Sequence, residues 1–235
     1  MARRPYVLLS AAMSADGYLD DASAQRLVLS GPDDLDRVDE ERARCDAIMV
    51  GAQTIRSDNP RLLVRSPRRI RRREGFGLPS SPAKVTISAS GALDPAGLFF
   101  ASDGVPKLVY AAPGVSASLA DRLGSRAEVI AMPAQADLAW VLSDLAERGV
   151  GRLMIEGGAS LLSQALAEDL ADELQLAVAP VFVADSAAPR LLAAGSWPAA
   201  DRGRPGRMKL ASTTQAGDMA VLRYLLGDYP PGTTS

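Results

Sequence analysis

Residues 153–162 read LMIEGGASLL: an apolar run, one carboxylate at Glu156, glycines at 157 and 158, and then a second apolar stretch. The first half has the composition of a buried strand, and SLLSQALAEDL (160–170) reads as the helix after it. Glycine loses more backbone freedom on folding than any other residue, so a pair at a strand-to-helix junction needs a reason. Two reasons are open. One is turn geometry alone; the other is a backbone kept bare so that a phosphate can reach the N–H groups at the positive helix end. The spacing is not G-x-G-x-x-G, so the Rossmann fingerprint is absent.

Working outward, YVLLSAAMS (6–14), DAIMVG (46–51), KVTIS (84–88), KLVYAA (107–112) and AEVIAM (127–132) read as strands. SGPDDLDRVDEERARC (30–45) reads as a helix that Ser30 or Gly31 can cap, with Pro32 in its first turn and Asp33 and Asp34 at its positive end. Leu35, Val38 and Arg42 fall three to four residues apart, which puts Arg42 on the inward face. DLAWVLSDLAERG (137–149) is a helix stopped by Gly149. DELQLAVAPVFVA (172–184) and MAVLRYLL (219–226) are two more strands with no helix read between them, which predicts an antiparallel edge, and the apolar segment near 174–182 reads as a hydrophobic edge that suggests a dimer. Strands alternating with helices give an α/β fold with helices on the faces of the sheet. We expect one domain over 1–228 and a flexible tail over 229–235.

The bulk composition narrows the chemistry. The chain has 235 residues, 47% of them hydrophobic, enough for a sizeable core, and a net charge of −2 that gives no bias toward nucleic acid. No run of 18 apolar residues predicts a membrane span, and MARRPYVLLSAAMSADG reads as a first strand rather than a signal peptide, so a cytoplasmic protein is expected. Cys45 is the sole cysteine and there is no histidine. That excludes an internal disulfide, a Ser-His-Asp triad, a Cys-His pair, an HExxH site and a zinc deaminase, and no metal site is expected. The remaining tools are carboxylates, hydroxyls, Arg, Lys and a borrowed cofactor.

A second constellation follows the strand 46–51. Gly51 is succeeded by Gln53, Thr54, Asp58 and Asn59, in the kind of loop where α/β proteins bind ligands. Asp58 with Arg65 supplies a carboxylate for a sugar hydroxyl and a guanidinium for a phosphate, although Asp58-Asn59-Pro60 also reads as a plain turn. RSPRRIRRREGFGLPSSP (65–82) holds six arginines in nine positions. Apart from Arg65 it is expected to be a mobile, solvated loop, with a phosphate grip or RNA patch as the rival reading.

Together these stretches resemble the reductase of riboflavin biosynthesis, which occurs alone or as the C-terminal domain of a bifunctional deaminase-reductase. The matching segments are SADG (14–17), RARCDAIMVGAQTIRSDNPRL (42–62), EGGASL (156–161) and DELQLAVAP (172–180), in order and spread over most of the chain. The resemblance implies a dihydrofolate-reductase-like fold with a mixed, mostly parallel sheet flanked by helices, usually a homodimer. It implies NADPH as hydride donor and a pyrimidine carrying ribosylamine 5′-phosphate as substrate, whose ribose is reduced to ribityl. A chain without the zinc deaminase half would perform the reduction only. By the same resemblance Arg42, Asp58, Leu62, Arg65 and Glu156 are substrate residues, with Asp58 and Glu156 the catalytic candidates. Ser30, Gly51, Thr54, Ser88, Gly157 and Gly158 are the cofactor residues. The chain departs from the family pattern at Ser10, Arg26, Asn59 and Leu63, in lacking a glycine after the AP segment, and in a longer stretch at 68–73. Arg26 and Leu63 bear on the identity of the substrate. The alternatives are a pterin, folate or specialised-pyrimidine reductase on the same fold, or a non-catalytic nucleotide- or RNA-binding protein.

Overall fold

Ala47–Val50 is an unbroken apolar run, and it becomes a strand walled in on both sides. The computed structural model describes residues 4–23, 27–192 and 208–227, which divide into two units. One is built on residues 38–158, the other on 6–37 and the chain beyond 159.

In the first unit β2 (Ala47–Gly51) pairs in parallel with β3 (Ala83–Ser88) and with β6 (Arg152–Gly157). Beyond β3 the parallel set continues through β4 (Lys107–Ala111) and β5 (Glu128–Ala131). Strands covered on both faces need apolar residues at successive positions, which is why Ile48, Met49, Met154 and Ile155 are fully buried. The helices of this unit are α2 (Ala52–Asp58), α3 (Pro67–Gly75), α4 (Pro113–Leu123) and α5 (Leu138–Glu147). The Asp137 carboxylate accepts Trp140 N–H at 2.9 Å to cap α5, and Gly149 follows its end at φ +89°. One core cluster joins Ile48 and Val50 to Ile55, Leu62, Phe99, Phe100 and Leu119.

In the second unit β1 (Tyr6–Ser14) runs parallel to β7 (Glu173–Ala179), and β9 (Met219–Leu225) lies antiparallel to β7. Beyond β9 lies β8 (Lys209–Ala216), joined to it by the two-residue turn Gly217-Asp218 with Gly217 at φ +62°. Helix α6 (Ala159–Ala167) and the first turns of α1 (Pro32–Ala43) belong here. The S-x-D-G segment is a clasp. The Ser14 hydroxyl donates to Asp16 at 2.6 Å and helps hold its carboxyl down at about 2, while the same carboxylate accepts the N–H groups of Val183 and Ala184. Pairing across all described strands is mixed and mostly parallel, with helices flanking, as the family resemblance implies.

Four expectations need correction. The arginine-rich stretch is not a solvated loop: it folds as α3, and Arg69 and Arg73, one turn apart, are buried. Arg73 donates to the carbonyls of Ala43, Cys45 and Pro79, so it caps the carboxyl end of α1 from outside. On α1 itself Leu35 is exposed, and the buried side chains include the carboxylates Asp34 and Asp39. The strand at 172–184 stops at Ala179, because Pro180 has no N–H to give and Asp16 captures the amides beyond it. The apolar segment 174–182 is no edge either: β7 is paired on both sides, and the outer strand of this unit is the polar, exposed β8, which sequence reading overlooked. Short α2 and α4 were also unread. Arg26 and the expected tail 229–235 lie outside the described residues. No described helix is long and apolar enough to cross a membrane.

Two tests follow from these contacts. Replacing Arg73 by alanine takes the donor from the carbonyls of buried Ala43 and Cys45 and of exposed Pro79, and should lower the unfolding free energy by about 2–4 kcal/mol in urea titration. Arg68→Ala and Arg71→Ala, on the exposed face, should change it by less than about 0.5 kcal/mol. Glu173 is fully buried, and burial alone would raise its carboxyl; Arg223, Gln175 and Tyr6 outweigh that and hold it at about 2. Its folded pKa lies below the ordinary 4.5, so its stabilisation is complete above that value and disappears as pH falls toward about 2. Glu173→Gln should flatten the acid limb of a stability-versus-pH curve over that window.

Candidate active site

The site grows from an irregularity in a parallel ladder. Along β2 and β6, Met49 lies opposite Ile155 and Val50 lies opposite Gly157, so Glu156 is an extra, bulged residue. A bulge breaks the strict alternation of a strand and re-aims one side chain. Here the re-aimed group is the carboxylate.

It meets Arg42 near the end of α1 in a two-pronged ion pair: Nε to Oε1 at 2.6 Å and Nη2 to Oε2 at 2.6 Å. The third nitrogen, Nη1, donates to the Leu63 carbonyl at 3.1 Å. The side chains are 11% and 10% exposed, so each charge depends on the other. Burial works against the charge on Arg42, and the Glu156 carboxylate more than offsets it, holding the guanidinium above its ordinary range.

Beside the pair two glycine turns lie back to back. A Cβ built on Gly158 would stand 3.4 Å from the Gly51 backbone and 3.4 Å from Thr54 Oγ1, and Gly158 itself is at φ +88°. That glycine is required by the fold. Gly157 and Gly51 are different. Gly51 has an ordinary extended backbone, φ −66°, and a Cβ there would make only normal contact, 3.7 Å from Gly158. Gly157 is outside the left-handed region, and a Cβ on it would touch Thr54 at 3.8 Å. Nothing in the protein's own packing demands glycine at these two positions, which leaves bare backbone at two neighbouring strand ends.

This chain matches the family model of the RibD C-terminal domain over residues 5–222. It belongs to that family. Among its relatives, the 2,5-diamino-6-ribosylamino-4(3H)-pyrimidinone 5′-phosphate reductase of Methanothermobacter thermautotrophicus is 36% identical over 181 residues, covering 77% of this chain and 80% of that protein. The same-named protein of Archaeoglobus fulgidus is 33% identical over 77% of this chain and 82% of its own. The riboflavin biosynthesis protein RibD of Chlamydia pneumoniae is 26% identical over 79% of this chain, which corresponds to 48% of that longer protein. Among solved structures, a pyrimidine reductase-like protein from Corynebacterium diphtheriae superposes with a TM-score of 0.78 at 24% identity, covering 96% of this chain and 93% of the other. Dihydrofolate reductase from Enterococcus faecalis shares the fold at a TM-score of 0.52 and 11% identity, covering 95% and 97%.

Within this RibD C-terminal domain the sequence-derived residues separate by role. Arg42, Glu156, Gly51, Thr54, Gly157 and Gly158 come together around the ends of β2 and β6. Asp58 ends α2, half-buried, and accepts the Ser57 hydroxyl at 2.7 Å. Asn59 sits in the left-handed region at φ +44°, which asparagine tolerates, and its side chain accepts Leu98 N–H at 2.6 Å. Leu62 turns its side chain into the core at φ +50°, so what it can offer a ligand is backbone. Arg65 is exposed, and its guanidinium has no ion pair among the described residues. Ser88 is buried, its hydroxyl accepting Gly91 N–H at 3.1 Å within its own turn. Ser30 belongs to the other unit; the carbonyl that opens α1 is that of Gly31, which accepts Leu35 N–H. Cys45 is buried, and burial pushes its thiol up to about 12, which makes it a poor nucleophile. Sequence reading missed Asp39. Its only signal was a carboxylate one helical turn before Arg42.

The two glycines of the EGG turn should therefore respond differently. Gly158→Ala should lower stability by about 1–2 kcal/mol through its left-handed backbone. Gly157→Ala should shift stability by less than about 0.5 kcal/mol, yet weaken binding of a dinucleotide phosphate measured by calorimetry. Equal effects of the two on stability, with no effect of Gly157→Ala on binding, would assign both glycines to the turn alone.

Proposed function

We propose that this chain is the reductase of riboflavin biosynthesis that converts the ribosylamino group of a pyrimidine 5′-phosphate to ribitylamino with NADPH. The carrying observation is one cluster at the ends of β2 and β6: bare backbone at Gly51 and Gly157 beside the buried Arg42–Glu156 pair. The relatives named above as pyrimidinone 5′-phosphate reductases support the substrate class.

The residues fit a phosphorylated dinucleotide. Bare backbone lets a pyrophosphate approach closely, Thr54 adds a hydroxyl between the turns, and Ser88 completes the proposed set in this unit. When bound, NADPH supplies the hydride, delivered to the sugar C1′ of the ring-opened imine, and a proton must reach the imine nitrogen. Each Glu156 oxygen accepts one Arg42 N–H and keeps a free lone pair for a ribose hydroxyl. Arg42 fixes the direction in which that lone pair points. Asp58, less enclosed, is the group best placed in solvent to relay the proton, and Arg65 takes the 5′-phosphate. Leu62 contributes backbone to the wall of the substrate site. A homodimer in the cytoplasm is part of the same proposal, with exposed Val181, Phe182 and Leu210 of the second unit as apolar surface for the contact.

The purified protein should oxidise NADPH when given a ribosylaminopyrimidine 5′-phosphate, followed at 340 nm. Asp58→Asn should lower kcat by about 100-fold, and Glu156→Gln should raise KM as well as lower kcat. Turnover of neither the amino nor the deaminated pyrimidine would overturn the assignment. Full activity of Asp58→Asn would overturn only its catalytic role.

A further inference from the structure

Segment 63–66 connects the core residue Leu62 to helix α3, and the N–H groups from Val64 to Ser66 are all held by side chains. The Leu63 carbonyl accepts from Arg42 at 3.1 Å, and Val64 N–H donates to the buried Ser81 hydroxyl at 2.9 Å. Arg65 N–H donates to Asp39 Oδ1 at 2.6 Å, and Ser66 N–H donates to Asp39 Oδ2 at 3.1 Å. Asp39 is 3% exposed and sits three residues before Arg42 on α1. Its second oxygen also accepts Arg69 Nη1 at 3.0 Å, and Arg69 Nε donates to Glu40 at 2.8 Å. Ser66 opens α3 without a side-chain cap of its own, so the cap comes from Asp39 on another helix.

The arrangement is more than a general staple. One carboxylate oxygen takes the N–H of Arg65, whose guanidinium is left exposed, and the other takes the N–H of the next residue, Ser66, while Arg69, Arg72 and Arg73 of the same run are engaged by Glu40, Asp39 and carbonyls. Leu62 is held at φ +50°, a backbone state that persists only where the neighbours over-determine it. The strained joint on one side and the anchored helix on the other leave the Arg65 Cα little room to move.

We infer that Asp39 is a positioning residue that fixes Arg65 for the substrate phosphate, with α3 as its brace. The inference rests on the functional reading above, in which Arg65 takes that phosphate. A misplaced charged group weakens phosphate binding without touching hydride transfer, so Asp39 should act on KM and leave kcat alone.

The test compares wild type, Asp39→Ala, Asp39→Asn, Arg65→Ala and the Asp39→Ala/Arg65→Ala double variant. The readouts are KM and kcat for the phosphorylated pyrimidine, Ki of ribose 5-phosphate, and Kd of NADPH. Asp39→Ala should raise KM and Ki together by about tenfold, with kcat within twofold and Kd of NADPH unchanged. Asp39→Asn, whose single carbonyl oxygen still accepts from one of the two amides, should recover part of the loss and carries the comparison if the alanine variant does not fold. In the Arg65→Ala background, removing Asp39 should add little. Unchanged KM and Ki, or kcat and NADPH affinity falling in step with them, would overturn the inference while leaving the function intact. A wild-type chain that turns over neither pyrimidine overturns the functional reading and this inference with it.

Discussion

The candidate site of this RibD C-terminal domain is built on a guanidinium and a carboxylate that are buried together. Arg42 comes from a helix and Glu156 from a strand 114 residues later, and both would be costly to bury alone. Their fork-to-fork contact ties the end of α1 to the end of β6. It also fixes which Glu156 lone pairs remain available, a matter of direction more than of stability. The bulge in β6 makes the contact possible, because a regular strand would place alternate residues on the other face.

A second layer of polar contacts holds the first in place. Arg73 closes the open carbonyls at the end of α1, Arg69 grips Asp39 and Glu40, and Asp39 holds the segment that carries Arg65. The cluster of arginines is thus divided by geometry. Those spaced four apart on the inward face of α3 act as hydrogen-bond donors to helix α1 and the turn after it, Arg72 pairs with Glu40 at the rim, and Arg68 and Arg71 stay in solvent. A charge run that looks uniform in one dimension has two functions in three.

Much of the fold was legible because parallel strands buried on both faces need contiguous apolar residues, and 47–50 and 108–111 have them. The helix at 65–75 was not legible. Its inward face carries arginine instead of leucine, and no hydrophobic period announces it. Strand β8 was missed for the same reason: KLASTTQA is polar and exposed throughout, although Gly217-Asp218 was a hairpin signal in plain view. Reading 174–182 as an edge failed because apolar character reports burial, not position in the sheet order.

The sequence by itself determined the alternating α/β architecture, the absence of histidine chemistry, the family pattern and the residues in it. Those follow from composition, spacing and local propensity, which are properties of the chain. Only the tertiary structure decided that Glu156 is a bulged residue clamped by Arg42, that Gly158 serves the fold whereas Gly157 leaves backbone bare, and that Asp39 serves Arg65. Each of these depends on distances between segments far apart in the chain. Strand register, backbone angle and burial set those distances, and no local pattern encodes them.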